Sequence, residues 1–454
     1  MKKVHFISIG GSVMHSLAIE LKRRGFDVTG SDDAIYDPSK SSLLYNNLLP
    51  KKLGWCEKNI KDELDFVILG MHAKSDNIEL KIALEKKIKV YSFPQFIYEH
   101  SKNKTRVVIG GSHGKTTITS MILHVLDKNN FKTDYILGAK VKGFTNSVHL
   151  SEDNEFILIE GDEYLSSRIH DVPKFHVYKP NIALISGISW DHMNVFPTFK
   201  IYVDQFKIFI NKIINGGVLV YNENDENILN ILNSNENFIR KIPYGLHPHI
   251  SNNNKFFVDT DEGLLPIKFF GKHNMENLSA AKKICNLIGL TDDKFYSSIV
   301  SFEGAGNRLE LVEQKNKRCV IKDFAHSPSK LIASINAVKS NFEGKLIAVF
   351  ELHTFSSFDE DFQKEYRSAF NECDHPIVFF DSNSEKLKDK IIDEKNLIDS
   401  FADKRIVFAY DPNQLRDYLL KFDDNNVNLL LMSSGKFGGI DIDMLAKNFC
   451  EIGS

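Results

Sequence analysis

The segment Gly110-Gly111-Ser112-His113-Gly114-Lys115-Thr116-Thr117 carries the plainest chemistry in the sequence. It follows an apolar strand pattern, Arg106–Ile109, and precedes a helical pattern that starts near Thr116. Backbone N–H groups of such a loop converge on phosphate oxygens, helped by the positive end of the following helix. Lys115 would neutralise the outer phosphates, and the Thr116 hydroxyl would reach a magnesium ion. The spacing falls short of the standard G-x-x-x-x-G-K-[ST] pattern, because Ile109 stands where the first glycine belongs. The strand–loop–helix setting favours nucleotide binding over an ordinary glycine turn.

Two further groups belong near this loop. Glu160-Gly161-Asp162-Glu163 ends a strand pattern at Phe156–Glu160, and Asp191-His192 follows another at Ile182–Ile188. In a parallel sheet both strand ends open on the edge that carries the loop. Glu160 and His192 are therefore candidates to complete the magnesium shell that Thr116 begins. Magnesium prefers oxygen, so the histidine would be an unusual ligand. Taken alone, each is equally readable as a solvated strand end.

The remaining candidates are less specific. Gly10-Gly11-Ser12 turns from the strand pattern Val4–Ile9 into the helical pattern Met14–Arg24, with Asp32 about 20 residues on. Ser8 and His15-Ser16 break the glycine fingerprint of a dinucleotide site, which disfavours a nicotinamide oxidoreductase. A nucleotide-sugar diphosphate would use the same helix end equally well. Asn274 and Asn277, in Gly271-Lys272-His273-Asn274-Met275-Glu276-Asn277, can donate and accept as adenine requires, or can simply cap a helix. Arg308 could clamp a phosphate from a neighbouring domain. Asp323-Phe324-Ala325-His326-Ser327-Pro328 is a polar turn after a strand.

These residues need a scaffold, and the pattern supplies one. Strands alternate with helices along the chain, which predicts α/β domains with mainly parallel sheets. The length of 454 residues predicts about three domains, placed at 1–103, 104–300 and 301–454. His100–Thr105 reads as a polar linker, and the Asn-rich stretches Asn222–Asn237 and Pro248–Asn254 read as exposed loops. The strand patterns of the last domain are Val320–Asp323, Leu346–Glu351, Pro376–Phe380, Arg405–Tyr410 and Asn428–Met432. Hydrophobic residues make up 42% and charged residues 26%, enough for sizeable cores. A net charge of -3 provides no basic field for nucleic acid or anionic lipid. The five cysteines form no C-x-x-C pair, so neither a cysteine zinc site nor a disulfide framework is expected. No apolar run is long enough to span a membrane, and Gly10-Gly11 interrupts any leader-like stretch after Met1-Lys2-Lys3. The expected compartment is the cytoplasm.

Taken in order, the motifs resemble those of the Mur ligase family, the ATP-dependent amide-forming enzymes of peptidoglycan. Gly111–Thr117 is similar to the family's shortened P-loop, which accounts for the missing glycine. Glu160–Tyr164 resembles its E-A-D-E segment, Asp191-His192 its metal-binding D-H, and Gly271–Asn277 its G-x-H-N-x-x-N. Arg308 and Asp323–Pro328 resemble its arginine and its D-[FY]-A-H-x-P segment. The resemblance implies an N-terminal Rossmann-like domain for a UDP-sugar, a central P-loop-type ATPase, and a C-terminal Rossmann-like domain for the incoming amine.

It also implies roles. Lys115, Glu160 and His192 would be catalytic, with Thr116, Glu160 and His192 at magnesium. Gly111 to Thr117, Asn274, Asn277, Arg308, Asp323 and His326 would bind ATP. Gly11, Ser12, Met14, Ser31 and Asp32 would hold UDP-N-acetylmuramate, and His353, Thr354 and Ser356 the amine. Tyr164, Phe175–Pro180 and Phe437–Ile440 resemble the recycling branch, whose amine is L-alanyl-γ-D-glutamyl-meso-diaminopimelate. The alternative is the biosynthetic branch that adds L-alanine, and a more remote one is a non-catalytic nucleotide-binding protein. Three departures bear on the amine pocket: Glu351-Leu352-His353-Thr354-Phe355-Ser356 lacks an expected arginine, Lys322 replaces an aspartate, and Lys436 stands where glycine is common. Lys207, fifteen residues past His192, sits at a spacing where other family members carry a carbamylated lysine. A solvated helix-face lysine is the simpler reading.

Overall fold

The computed structural model describes residues 1–452, except 139–140, 142, 168–169, 191–194, 253–254, 307, 355, 359 and 382–392. Among the described residues the chain folds into three mainly parallel sheets of four, seven and six strands, with two small antiparallel sheets of two and three strands. Alternation of short apolar runs with amphipathic helices produces this result, since parallel strands need helical crossovers that cover both faces.

The first sheet has the order Asp27–Ser31, Lys3–Ile7, Phe66–Leu69, Lys89–Ser92, all parallel. Its central strands are buried from Val4 to Ile7 and from Phe66 to Leu69. Ser8, just past the first strand, adopts φ +67, a left-handed conformation that favours glycine. The N–H groups of Ser8 and Ile9 both reach Ser31 O at 3.0 Å, which holds the chain in that turn. The serine that breaks the glycine fingerprint thus occupies a glycine-like conformation.

The second sheet runs Arg240–Tyr244, Val218–Asn222, Ile182–Ile185, Thr105–Gly110, Phe156–Glu160, Asp134–Ile136, Val148–His149. Only its last pair is antiparallel. Residues Met1–Gly245 and Ala280–Phe295 form one compact unit around this sheet and the first. One apolar cluster extends through it from Val4 and Phe6 to Phe206, Phe209 and Ile228.

Residues Leu246–Ser279 and Tyr296–Ser454 form the other unit. Its six-stranded sheet has the order Glu310–Lys315, Arg318–Asp323, Val427–Met432, Lys345–Glu351, His375–Phe379, Val407–Ala409. All pairs are parallel apart from the first. No described helix is long and apolar enough to cross a membrane.

Three stretches depart from the expectations. The expected linker 100–105 is the end of a helix, Phe93–Ser101, and the start of the strand Thr105–Gly110. Pro94 lies in the first turn of that helix, where proline is tolerated, and Ser92 closes a capping box with Gln95. Two polar residues of the stretch face inward: His100 Nε2 and Lys104 Nζ each lie 2.9 Å from Asp134 Oδ2, which is fully buried. Asn222–Asn237 contains the helix Glu226–Asn233, capped by Asp225 and burying Ile228, Ile231 and Leu232. Pro248–Asn254 contains the strand His249–Asn252, paired antiparallel with Lys255–Thr260.

Arg106 secures the same junction. It is 5% exposed, and its Nε donates to Tyr178 O at 2.9 Å and Lys179 O at 3.0 Å. Its Nη1 donates to the carbonyls of Ser101, Lys102 and Lys104 at 2.8, 3.0 and 3.1 Å. Arg106→Met should destabilise the protein by roughly 3 kcal/mol or more, because several buried carbonyls at about 1 kcal/mol each would lose their donor. The urea midpoint at unchanged m-value measures it. A loss below about 1 kcal/mol would mean that water replaces the guanidinium.

Candidate active site

The glycine loop occupies the turn between the strand Thr105–Gly110 and the helix Lys115–Lys128. Gly114 caps that helix at φ +76 and supplies no side-chain cap, so the first-turn N–H groups are left for an outside acceptor. Gly111, at φ +125, is needed for space as well as conformation. A Cβ there would lie 2.2 Å from Ser186 Oγ and 2.8 Å from Ser186 N. The loop rests on the end of the neighbouring strand: Ser112 N–H donates to Gly187 O at 2.9 Å, and Ser186 N–H to Gly110 O at 3.1 Å.

Acidic residues from the next strand end surround the lysine. Lys115 Nζ donates to Glu163 Oε2 and to Gly111 O, both at 2.6 Å. Burial pulls the Lys115 pKa down, but the carboxylates of Glu163, Asp162 and Glu160 outweigh it, and the net shift is upward. The lysine is therefore a firm cation. Asp162 pairs with Lys174 at 2.5 Å. Burial opposes its ionisation, yet Lys174 and Lys115 hold its pKa down at about 2.

Thr116 Oγ1 donates to Glu160 Oε1 at 2.8 Å, and the other carboxylate oxygen accepts Gly138 N–H at 2.9 Å. Two hard oxygen donors thus meet at the mouth of the loop, a donor chemistry that suits magnesium. Among the described residues no group of three or more His, Cys, Asp and Glu could hold a metal unaided. Asp191 and His192 lie outside the described residues. Lys207 is exposed on the helix Phe199–Asn211, whose buried residues are Tyr202, Phe206, Phe209 and Ile210. This position supports the solvated reading.

The glycine turn of the first sheet is arranged from beneath. Asp32 accepts Gly10 N–H at 2.7 Å and Asp33 N–H at 3.0 Å. The Ser31 hydroxyl donates to the buried Glu79 carboxylate, which also accepts Cys56 N–H at 2.9 Å and Asn59 Nδ2 at 2.7 Å. Met14 is 4% exposed and joins the apolar cluster. Of the five residues expected at the UDP-sugar, Met14, Ser31 and Asp32 are buried. Gly11 and Ser12 are at the surface.

In the other unit, Asn274 Nδ2 donates to Phe270 O at 2.8 Å and Asn277 Nδ2 to Asn274 Oδ1 at 3.4 Å. Arg308 lies over the Phe324 ring, 4.4 Å from its centroid. Asp323 accepts Leu309 N–H at 2.9 Å and the Ser334 hydroxyl at 2.5 Å, and His326 Nδ1 meets Phe324 O at 2.9 Å. Burial lowers the His273 pKa, with Arg308 adding to that and Asp323 opposing it.

The strands Lys345–Glu351 and Val427–Met432 are neighbours, so the residues that follow them share one edge. His353 Nε2 lies 3.2 Å from Ser434 Oγ, and Phe437 N–H donates to Glu351 Oε2 at 3.1 Å. Thr354 Oγ1 and O both accept from Ser357 N–H, so this threonine caps a short turn. Phe355 and the Ser356 side chain lie outside the described residues.

The sequence reading singled out Glu160 from the acidic segment and passed over Glu163. The signal was the spacing: three residues beyond a strand end brings a second carboxylate back to the loop. Tyr202 and Ser186, which also meet the loop, carry no local signal.

Mainly parallel sheets, a glycine loop between strand and helix, and a threonine–carboxylate pair at its mouth are the arrangement of an α/β nucleotide-binding class. The comparisons make this specific. Residues 3–105 match the model for the Mur ligase family catalytic domain, 109–285 that for the Mur ligase middle domain, and 307–435 that for the Mur ligase glutamate ligase domain. A UDP-N-acetylmuramate–L-alanine ligase from Caldicellulosiruptor bescii is 32% identical over 391 residues, covering 83% of each chain. The UDP-N-acetylmuramate–L-alanyl-γ-D-glutamyl-meso-2,6-diaminoheptandioate ligase of Haemophilus influenzae is 27% identical over 461 residues, covering 98% of this chain and 99% of its own. The crystal structure of a murein peptide ligase from Psychrobacter arcticus superposes with a TM-score of 0.66 at 20% identity over all of both chains. That of a UDP-N-acetylmuramate–alanine ligase from Thermotoga maritima gives 0.68 at 20% identity over 99% of each. The chain belongs to the Mur ligase family, with the family's three domains in series. It is an ATP-dependent, amide-bond-forming ligase.

Proposed function

We propose that the protein joins the lactyl carboxylate of UDP-N-acetylmuramate to the amine of L-alanyl-γ-D-glutamyl-meso-diaminopimelate, in the cytoplasm, as a step of peptidoglycan recycling. The lactyl carboxylate attacks the γ-phosphate of ATP, giving an acyl phosphate and ADP. The peptide amine then attacks the acyl carbon, and phosphate leaves. The observation that carries the first step is the group at the loop: Lys115 beside Glu163, and Thr116 on Glu160.

A carboxylate approaching a polyphosphate meets like-charge repulsion, and the work of the site is to offset it. Lys115 exchanges Glu163 for phosphate oxygens, and the N–H groups of residues 111 to 117 cradle the remainder. Thr116, Glu160 and His192 would hold magnesium, which when bound spreads the charge of the polyphosphate. Asn274, Asn277, Asp323 and His326 fix the adenosine, and Arg308 a phosphate. The Gly11-Ser12 turn, braced by Asp32, receives the uridine diphosphate. No protein nucleophile is required, so catalysis rests on positioning and electrostatics.

The tripeptide is supported by the resemblance of Tyr164, Phe175–Pro180 and Phe437–Ile440 to the recycling branch, the last of these tied to Glu351 through Phe437 N–H. His353, Thr354 and Ser356 offer an imidazole and hydroxyls for a peptide carboxylate. A second reading, with L-alanine as the amine, is favoured by the 32% identity to the Caldicellulosiruptor enzyme. Phosphate release with UDP-N-acetylmuramate, ATP and magnesium decides between them. A preference of at least about tenfold in kcat/KM for the tripeptide over free L-alanine is expected. The reverse preference would transfer the protein to the biosynthetic reaction.

A further inference from the structure

One buried side chain beside the loop takes no part in the mechanism above. Tyr202, on the helix Phe199–Asn211, is fully buried against Phe196 and Phe206. Its hydroxyl lies 2.9 Å from Ser112 Oγ and 3.2 Å from Glu163 Oε1. Ser112 is in the glycine loop, Glu163 follows the next strand, and the tyrosine hydroxyl joins them.

The direction of each hydrogen bond follows from the chemistry of the groups. An ionised carboxylate only accepts, so the Tyr202 O–H donates to Glu163. The Ser112 hydroxyl then donates to the Tyr202 oxygen. Ser112 Oγ in turn accepts Ser189 N–H at 2.9 Å. At the far end, Glu163 Oε2 accepts from Lys115 Nζ at 2.6 Å. Donors therefore converge on Glu163 from two sides, a directed chain from Ser189 through Ser112 and Tyr202 on one and Lys115 on the other, in surroundings where an unmade bond is costly.

We infer that Tyr202 is a positioning residue for ATP: its hydroxyl sets the Glu163 carboxylate, and through it Lys115, against the glycine loop. The inference rests on the proposal that Lys115 and the loop bind the ATP phosphates. When phosphate draws Lys115 away, Glu163 loses its cation. The Tyr202 O–H then remains as a donor to that carboxylate, so the exchange leaves no bare buried charge. The same hydroxyl holds Ser112, and with it the loop, in a phosphate-ready form. A phenylalanine would keep the ring packing and remove both functions.

The test is steady-state kinetics of the full chain with ATP as the varied substrate. Tyr202→Phe should raise KM for ATP about tenfold, the scale of one hydrogen bond to a charged group. It should leave KM for UDP-N-acetylmuramate within about twofold, since the proposal holds that substrate mainly by its uridine diphosphate, at the Gly11-Ser12 turn. Phe206→Leu, a core change in the same helix, controls for stability: at a matched fall in Tm it should not move KM for ATP. Ser112→Ala should raise KM for ATP as well, and the double variant Ser112→Ala with Tyr202→Phe should lose much less than the product of the singles.

Unchanged KM for ATP in a folded Tyr202→Phe, with Lys115→Ala inactive, would overturn the positioning role and leave the ATP site standing. An active Lys115→Ala would remove the reading on which it rests. Should Tyr202→Phe fail to fold, Ser112→Ala reports the same link, and a normal KM for ATP there overturns the inference.

Discussion

Lys115→Ala should lower kcat by at least about 100-fold while the protein remains folded. The ammonium sits 2.6 Å from both Glu163 and Gly111 O, at the start of a helix whose first-turn N–H groups have no side-chain cap. It is the group that can turn from a carboxylate to a transferred phosphoryl without leaving the loop. Its removal takes away charge where charge accumulates as the phosphoryl moves. The loss should fall mainly on kcat, because backbone N–H groups still bind the ground-state nucleotide. ADP release dependent on UDP-N-acetylmuramate is the readout, with circular dichroism as the check on folding. Near-normal release by a folded variant would remove the central claim about this site.

Glu160→Ala should have an effect of similar size through a different route. Glu160 accepts from Thr116 Oγ1 and Gly138 N–H, so it orders the mouth of the loop as well as offering oxygens to magnesium. We expect kcat to fall about 100-fold and the magnesium concentration for half-maximal rate to rise at least about tenfold. His192→Ala should raise the magnesium requirement too. If both hold the same metal cluster, the double variant should lose much less than the product of the singles. Strictly multiplicative losses would assign the two side chains to separate tasks. Magnesium titrations of ADP release at fixed ATP distinguish these outcomes.

The motifs that led to the family were legible because their information is local. A strand, a turn that only glycine can make, and a lysine and threonine at the first helical positions lie within about a dozen consecutive residues. Asp32 was legible for a similar reason, although its oxygens turned out to brace the Gly10 turn from below. Element boundaries were less so. The helix Phe93–Ser101 was hidden by Pro94, which reads as a strand stop but sits in a first helical turn. The helix Glu226–Asn233 was hidden by its asparagines, although Ile228, Ile231 and Leu232 carry the helical spacing.

By itself the sequence determined the parts of the proposed chemistry: a glycine loop, a lysine, a hydroxyl and a carboxylate, set beside the ends of parallel strands. It also determined the alternation that forces α/β sheets with their strand ends on one edge. What it left open is which polar side chains serve the site and which serve the fold. Ser31 is buried with its hydroxyl on Glu79. His100 and Lys104, which look solvated in a linear reading, converge on Asp134. Tyr202 meets Ser112 across 90 positions of sequence. Spacing along a strand or helix predicts neighbours only a few residues apart, because those elements repeat at short range. Partners brought together by sheet order and crossover helices have no such period, and only the tertiary structure decides them.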